Sequence, residues 1–211
     1  MRIGLIGTGN VARALAAGWS AAGHEVVLGS RKPEEREVGG AAVVGVAEAA
    51  AYGEVVVNAT PGTASLEVLE GIGAAALEGK VLIDVAVGFV EGQDEGEMVL
   101  SHPFRSLGEE IQAAFPRTAV VKTLCTVDSH VMKDPGRLAG PSTLFLSGDD
   151  AEAKRTVARL LADLGWTEDA LMDLGGIATA RGQEQYAMLF TGIWGALGTA
   201  EFNVRVVPLA S

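Results

Sequence analysis

Met1-Arg2-Ile3-Gly4-Leu5-Ile6-Gly7-Thr8-Gly9-Asn10-Val11-Ala12 is the stretch from which the rest of the chain is read. An aliphatic run at 2–6 leads into Gly7-Thr8-Gly9-Asn10-Val11-Ala12, and an Ala-rich stretch at 10–22 follows. The first reads as a strand and the second as a helix, so the glycines stand in the turn between them. In such a unit the first Gly permits the tight turn, the second lets the backbone approach a pyrophosphate, and a small third residue lets the helix lie close to the strand. Unpaired amides at the helix start, with the positive end of its dipole, suit phosphate. A plain glycine turn without a ligand is the alternative; the place of these glycines between a strand and a helix favours a nucleotide.

Further runs at 25–28, 54–59, 80–84, 119–123 and 143–146, with a weaker one at 42–44, alternate with helical stretches at 46–52, 65–77 and 107–114. Most of the runs are hydrophobic almost throughout, as strands covered on both faces are. The alternation predicts an α/β fold, a Rossmann-type doubly wound parallel sheet with a small, mainly helical C-terminal extension. The nucleotide-binding domain is placed at 1–123 and a smaller portion closing the cleft at 124–211. A loop rich in Asp, Gly and Pro is expected at 128–141, and a helix at 151–164 with Asp149 and Asp150 at its start and Gly165 at its end. A last helix over 177–197 carries Gly182, Gly192 and Gly195, with Gly198 just after it. Such glycines admit a close backbone, either another subunit's or one within the same chain. A terminal strand is expected at 202–207.

Composition excludes several classes. The 211 residues include 27 acidic and 16 basic ones, a formal net charge of −11, whereas nucleic-acid binding needs a basic face. No nucleic-acid partner is expected. Cys125 is the sole cysteine, which rules out an internal disulfide and a four-thiolate metal site, and His24, His102 and His130 are scattered. No metal is expected. No continuously apolar run is long enough for a membrane span and no signal peptide is visible, so the reading is of a soluble, cytoplasmic protein with no membrane partner.

The end of the second strand tells one dinucleotide from another. NAD sites place an acidic side chain there to bind the ribose hydroxyls, whereas NADP needs that charge absent and a cation nearby. Here stand Ser30, Arg31 and Lys32. A hydroxyl followed by a guanidinium suits a 2′-phosphate, which Arg grips in a fork, and Lys32 adds a point charge. An ordinary solvated basic turn before Pro33 is the alternative, and NADP(H) is the expected coenzyme. Ala59, Thr60 and Pro61 follow one strand, and Val85 and Ala86 another. Both loops leave carboxyl ends of parallel strands, where ligands of such sheets bind, so they are expected to line the nicotinamide half of the cleft.

With these residues in place, the chain resembles the F420-dependent NADP oxidoreductases, a family similar in turn to the reductase domain of the STEAP metalloreductases. The resemblance runs over nearly the whole chain. It rests on the opening at 3–12, Gly29-Ser30-Arg31, the Val-Val-Lys-Thr-Leu-Cys-Thr stretch at 120–126, Gly148-Asp149-Asp150 before a helix with Lys154, and Ala180-Arg181 with Glu184. It implies a Rossmann domain holding NADP(H) and hydride transfer to a small-molecule ring acceptor, F420 or a flavin, as co-substrate. By the same resemblance Thr8, Gly9, Asn10 and Val11, beside Gly7, meet the pyrophosphate, Ser30 and Arg31 the 2′-phosphate, and Ala59, Thr60 and Pro61 the nicotinamide ribose.

Transfer between two rings needs no acid–base residue, whereas a carbonyl or imine acceptor needs a proton donor. The short-chain dehydrogenase pairing of Tyr with Lys four residues on is absent, since Val56 follows Tyr52 and Phe190 follows Tyr186 at that spacing. Lys122, Cys125, Asp128, His130 and Glu184 are the candidate donors, and no catalytic residue is assigned. Lys122 at a strand end is expected to reach solvent, and Arg181 to pair with Glu184 along one helix face. Two alternatives to a ring-transferring reductase stay open. One is a reductase of a small imine or carbonyl, since the GTGN stretch also resembles pyrroline carboxylate reductases; the other is a non-catalytic NADP(H)-binding sensor. A homodimer is expected from the glycine-rich last helix.

Overall fold

The aliphatic runs assemble because each buries its side chains against helices on both faces while its backbone pairs with its neighbours. The structure, a computed structural model, describes residues 1–35, 41–92 and 98–209. Its strands are β1 (Arg2–Ile6), β2 (Glu25–Ser30), β3 (Ala42–Gly45), β4 (Val55–Asn58), β5 (Val81–Asp84), β6 (Phe89–Glu91), β7 (Met98–Leu100), β8 (Ala119–Thr123), β9 (Leu144–Ser147) and β10 (Leu171–Asp173). The helices are α1 (Asn10–Ala21), α2 (Val46–Tyr52), α3 (Gly62–Ile72), α4 (Ala74–Leu77), α5 (Leu107–Ala114), α6 (Ser129–Lys133), α7 (Ala151–Ala162) and α8 (Ala180–Leu197).

Eight strands form one sheet in the order β3-β2-β1-β4-β5-β8-β9-β10, and β6 pairs with β7 in a separate antiparallel hairpin. The sheet is parallel from β3 to β8; β9 joins β8 antiparallel, and β10 follows β9 in parallel. Residues beyond 123 thus extend the same sheet. One face is covered by α1 and α7, with Leu15, Trp19, Val157 and Leu160 fully buried. The other is covered by α2 to α5, through Ala49, Leu69, Leu77 and Ile111. Trp19 Nε1 donates to the Leu160 carbonyl at 2.9 Å, tying α1 to α7.

Register lines up the carboxyl ends. Gly29 pairs with Ile6, Ile6 with Asn58, Asn58 with Asp84, Asp84 with Lys122, and Lys122 with Ser147. Paired residues of adjacent strands share a face of the sheet. Four polar side chains therefore stand in a row inside an otherwise aliphatic layer.

Departures from the expected elements have local causes. The stretch at 65–77 is two helices, α3 and α4, separated at Gly73, whose φ of +91° ends the first. Within 128–141 the chain forms α6, because Asp128 caps it by accepting from the His130 amide at 2.8 Å. Asp150 caps α7 from the Ala153 amide, while Asp149 instead accepts from the Ile177 amide. No strand forms at 202–207; the Val204 carbonyl accepts from the Thr143 amide, and the Val206 amide donates to Thr143 Oγ1. The hairpin β6–β7 and strand β10, each built of three-residue strands, were too short for periodicity to reveal. The last helix is a 3-10 turn at Ile177–Thr179 followed by α8. Its first half buries Gln183, Glu184 and Ala187, while Met188, Leu189, Trp194 and Leu197 are exposed in its second. A Cβ at Gly182, Gly192, Gly195 or Gly198 would meet nothing within 4 Å among the described residues, so no described backbone of this chain uses their openness. Among the described residues, no helix is long and apolar enough to cross a membrane.

Candidate functional site

Three strand ends meet at Gly7. Its φ of +123° makes the turn, its amide donates to the Gly29 carbonyl at 2.9 Å, and a Cβ there would stand 2.6 Å from the Ala59 carbonyl oxygen. Only glycine fits that contact. Gly9 is the N-cap of α1, in extended conformation, with no side chain capping the amides of the first turn and no acidic residue in it. Beside it there is room: a Cβ on Gly9 would meet nothing within 4 Å. Exposed amides and an open cradle at a helix start are what a diphosphate requires.

All thirteen residues expected at the coenzyme site line one cleft of about 860 Å³. Gly7, Thr8, Gly9, Asn10 and Val11 form its base, and Ser30, Arg31 and Lys32 one end. Ala59, Thr60 and Pro61 with Val85 and Ala86 form the other. At the first end Ser30 is buried and its Oγ accepts from the Lys32 amide at 3.1 Å, shaping the turn that carries the exposed Arg31. Gly29, Val46, Ala64 and Val68 also line the cleft and were not foreseen. Val46 follows β3 at its carboxyl end, so the rule that pointed to residues 59–61 could have found it. Ala64 and Val68 stand four apart on α3, a spacing that looks like ordinary core. Among the described residues, those lining the cleft all fall between 7 and 87.

The far end rests on the polar row. Asn58 Nδ2 donates to Ser65 Oγ at 3.0 Å and to Asp84 Oδ1 at 2.9 Å, and Thr60 Oγ1 donates to Asn58 Oδ1 at 2.7 Å. Lys122 is fully buried, with Nζ 2.9 Å from Asp84 Oδ2, 2.7 Å from Glu184 Oε1, and donating to the Ala86 carbonyl. The expectation that Lys122 reaches solvent is corrected: as the third strand inward in the register row, its side chain has protein on every side. Burial by itself would lower the ammonium pKa, but the facing carboxylates outweigh it and hold the pKa above the usual value.

Glu184 and Arg181 do not pair with each other. Glu184 accepts from the Leu107 and Gly108 amides at 2.8 and 3.1 Å, and Arg181 grips Glu109 at 2.7 and 2.6 Å. Neighbouring helix α5 offers both a helix start and a buried carboxylate, and these partners win over the one on the same helix. The Arg181 guanidinium, against the opposing pull of burial, holds the Glu109 carboxyl down at about 2. Burial pushes the Cys125 thiol up to about 12, although Lys122 pulls the other way. His130 pairs with Asp128 at 2.9 Å with more than half its side chain exposed. None of the five candidate donors lines the cleft.

The family described as NADP oxidoreductase, coenzyme F420-dependent, matches residues 2–88, the part that holds the whole cleft lining. A proposed F420-dependent NADP reductase from Arthrobacter sp. FB24 is 40% identical, with a TM-score of 0.93 over 99% of this chain and 100% of that one. The metalloreductase STEAP3 of Rattus norvegicus is 31% identical over 199 residues, 92% of this chain and 38% of that protein, so the chain spans well under half of that relative's length. An imine reductase from Streptomyces aurantiacus shares the fold, with a TM-score of 0.64 and 19% identity over 93% of this chain and 63% of that one. Carried by likeness along its full length, the chain belongs to the F420-dependent NADP oxidoreductases, a family of NADP-dependent oxidoreductases.

Proposed function

We propose that the cleft holds NADP(H) with its pyrophosphate on the α1 amides and its 2′-phosphate on Ser30, Arg31 and Lys32, and that the acceptor is a ring, F420 or a flavin. When bound, the nicotinamide supplies the hydride chemistry. The chain's own work is to hold the coenzyme at both ends, keep the nicotinamide face at the Thr60–Pro61 and Val85–Ala86 wall, and exclude water there. The observation that carries the reading is the convergence, in one cleft, of an uncapped helix start with an exposed Arg31 at the end of β2. A ring acceptor is favoured over an imine or carbonyl because Lys122, Cys125, Asp128, His130 and Glu184 all stand outside the cleft lining. No proton donor of that set faces the reacting end.

The exposed apolar second half of α8, with glycines whose openness no described part of this chain uses, is read as the contact with a second copy. The lone Cys125 suits work in the reducing cytoplasm. Calorimetry with NADPH and NADH tests the coenzyme assignment. Arg31→Ala is expected to weaken NADPH by roughly ten- to a hundredfold and leave NADH unchanged, the span of a lost charged hydrogen bond. Equal effects on both would overturn it. Following NADPH oxidation with F420, FMN, FAD and a cyclic imine separates the acceptors: turnover with the imine alone would overturn the ring reading, and binding without turnover would leave a sensor.

A further inference from the structure

A buried ion triad lies directly behind the wall of the cleft and meets that wall at Ala86. Lys122 Nζ has three N–H bonds, and each has its own acceptor: Asp84 Oδ2, Glu184 Oε1 and the Ala86 carbonyl. Asp84 Oδ1 in turn accepts from the Ala86 amide at 3.2 Å, and the Val85 amide donates to the Asn58 carbonyl at 3.2 Å. Both backbone polar groups of Ala86 are therefore fixed by partners that themselves hold each other. On the other side Glu184 reaches from α8 to the first two amides of α5, and Gln183 beside it donates to the Lys122 carbonyl and to Ser147 Oγ.

Stability alone is a poor reason for this arrangement. Taking charges fully out of water is expensive, and apolar residues of similar volume often serve a core equally well or better. What the triad adds over an apolar trio is directional hold on one residue, Ala86, through the two peptide groups that flank it in the wall of the cleft. Placement there matters, since an error of about 1 Å in such a wall can cost on the order of a hundredfold in rate. Resting on the coenzyme reading above, we propose that Lys122 is a positioning residue: it fixes the Val85–Ala86 wall against which the nicotinamide lies and ties that wall to α8.

The test separates the two ends of the coenzyme. NADPH spans the whole cleft, whereas adenosine 2′,5′-bisphosphate reaches only the Ser30–Arg31 end and the α1 amides. In Lys122→Met, affinity for NADPH by calorimetry is expected to fall about tenfold or more, while affinity for the bisphosphate stays within about twofold. An unchanged NADPH affinity, or an equal loss for both ligands, overturns the proposal. Should Lys122→Met fail to fold by circular dichroism, Glu184→Gln and Asp84→Asn keep side-chain shape and one acceptor oxygen each. The same selective loss in either supports the proposal, and parallel losses or none overturn it. If the unaltered protein bound neither ligand, the coenzyme reading itself would fall, an outcome distinct from any difference between variants.

Discussion

Arg31 and Lys122 are both cations, and their surroundings set them to opposite work. Arg31 is exposed at the cleft, where the proposed reading gives it a phosphate, while Lys122 is wholly enclosed between carboxylates. Cys125 shows the same dependence on place. Only a thiolate attacks an alkylating reagent, and burial holds this thiol up at about 12. Alkylation by iodoacetamide at pH 8, followed by mass spectrometry, is expected to be slower than for a free thiol by a factor on the order of a hundred. Modification at the ordinary rate would show that the side chain is neither shielded nor raised. Glu109 offers the opposite case, a carboxylate held down at about 2 by Arg181 and the Ser106 amide. In the unfolded chain such a group takes its proton near about 4.3, so its contribution is full above that pH and vanishes as the pH falls through about 2. Urea melts of Glu109→Gln are expected to show a loss of roughly 1–2 kcal/mol at pH 7, discounted for the half-exposed Arg181, narrowing from about pH 4.3 down to pH 2. A gap that stays constant over that range would contradict the assignment.

Among the elements, α2 shows how a helix gets close enough to a sheet to place its first residue at the cleft. A Cβ on Gly4 of β1 would lie 2.0 Å from the Ala49 carbonyl oxygen, and one on Gly29 of β2 would lie 3.0 Å from Ala49 Cβ. Glycine in these strands is a spacing device, and α2 sits on it. Gly4→Ala must push α2 outward, and thermal melts are expected to show a loss of roughly 1–3 kcal/mol. Val46 at the start of α2 would move with it, so NADPH affinity falls too. A variant as stable as the parent would mean that α2 has slack. Helix α5 is held differently, by the Ser106–Glu109 capping box at its start together with Glu184 from α8. The local half of that arrangement, Ser106 three residues before Glu109, is a readable pattern; the half supplied from residue 184 is not.

For the whole molecule, assembly turns on α8. Its second half presents Leu189 at 58% and Trp194 at 49% exposure, a costly surface for an isolated chain. Sedimentation velocity is expected to show a species of twice the 21.7 kDa chain mass, and Leu189→Lys with Trp194→Glu to return it to a single chain. A wild-type protein sedimenting at 21.7 kDa would refute the second-copy reading. The same scale divides what could be read from the residues from what could not. Alternating aliphatic runs and Ala-rich stretches determined the α/β architecture, and Gly7, Gly9, Arg31 and the strand ends at 59 and 85 determined where the cleft lies, because backbone geometry and strand ends act through near neighbours in the chain. The partners of Lys122, Arg181 and Glu184 were decided only by tertiary structure. Asp84, Lys122 and Glu184 are 38 and 62 residues apart in order, and nothing local shows that sheet register sets the first two side by side while α8 brings the third down upon them. An ion pair along one helix depends on spacing, but a buried charge takes whichever carboxylate the packed fold delivers, since leaving it alone away from water costs far more than any local preference.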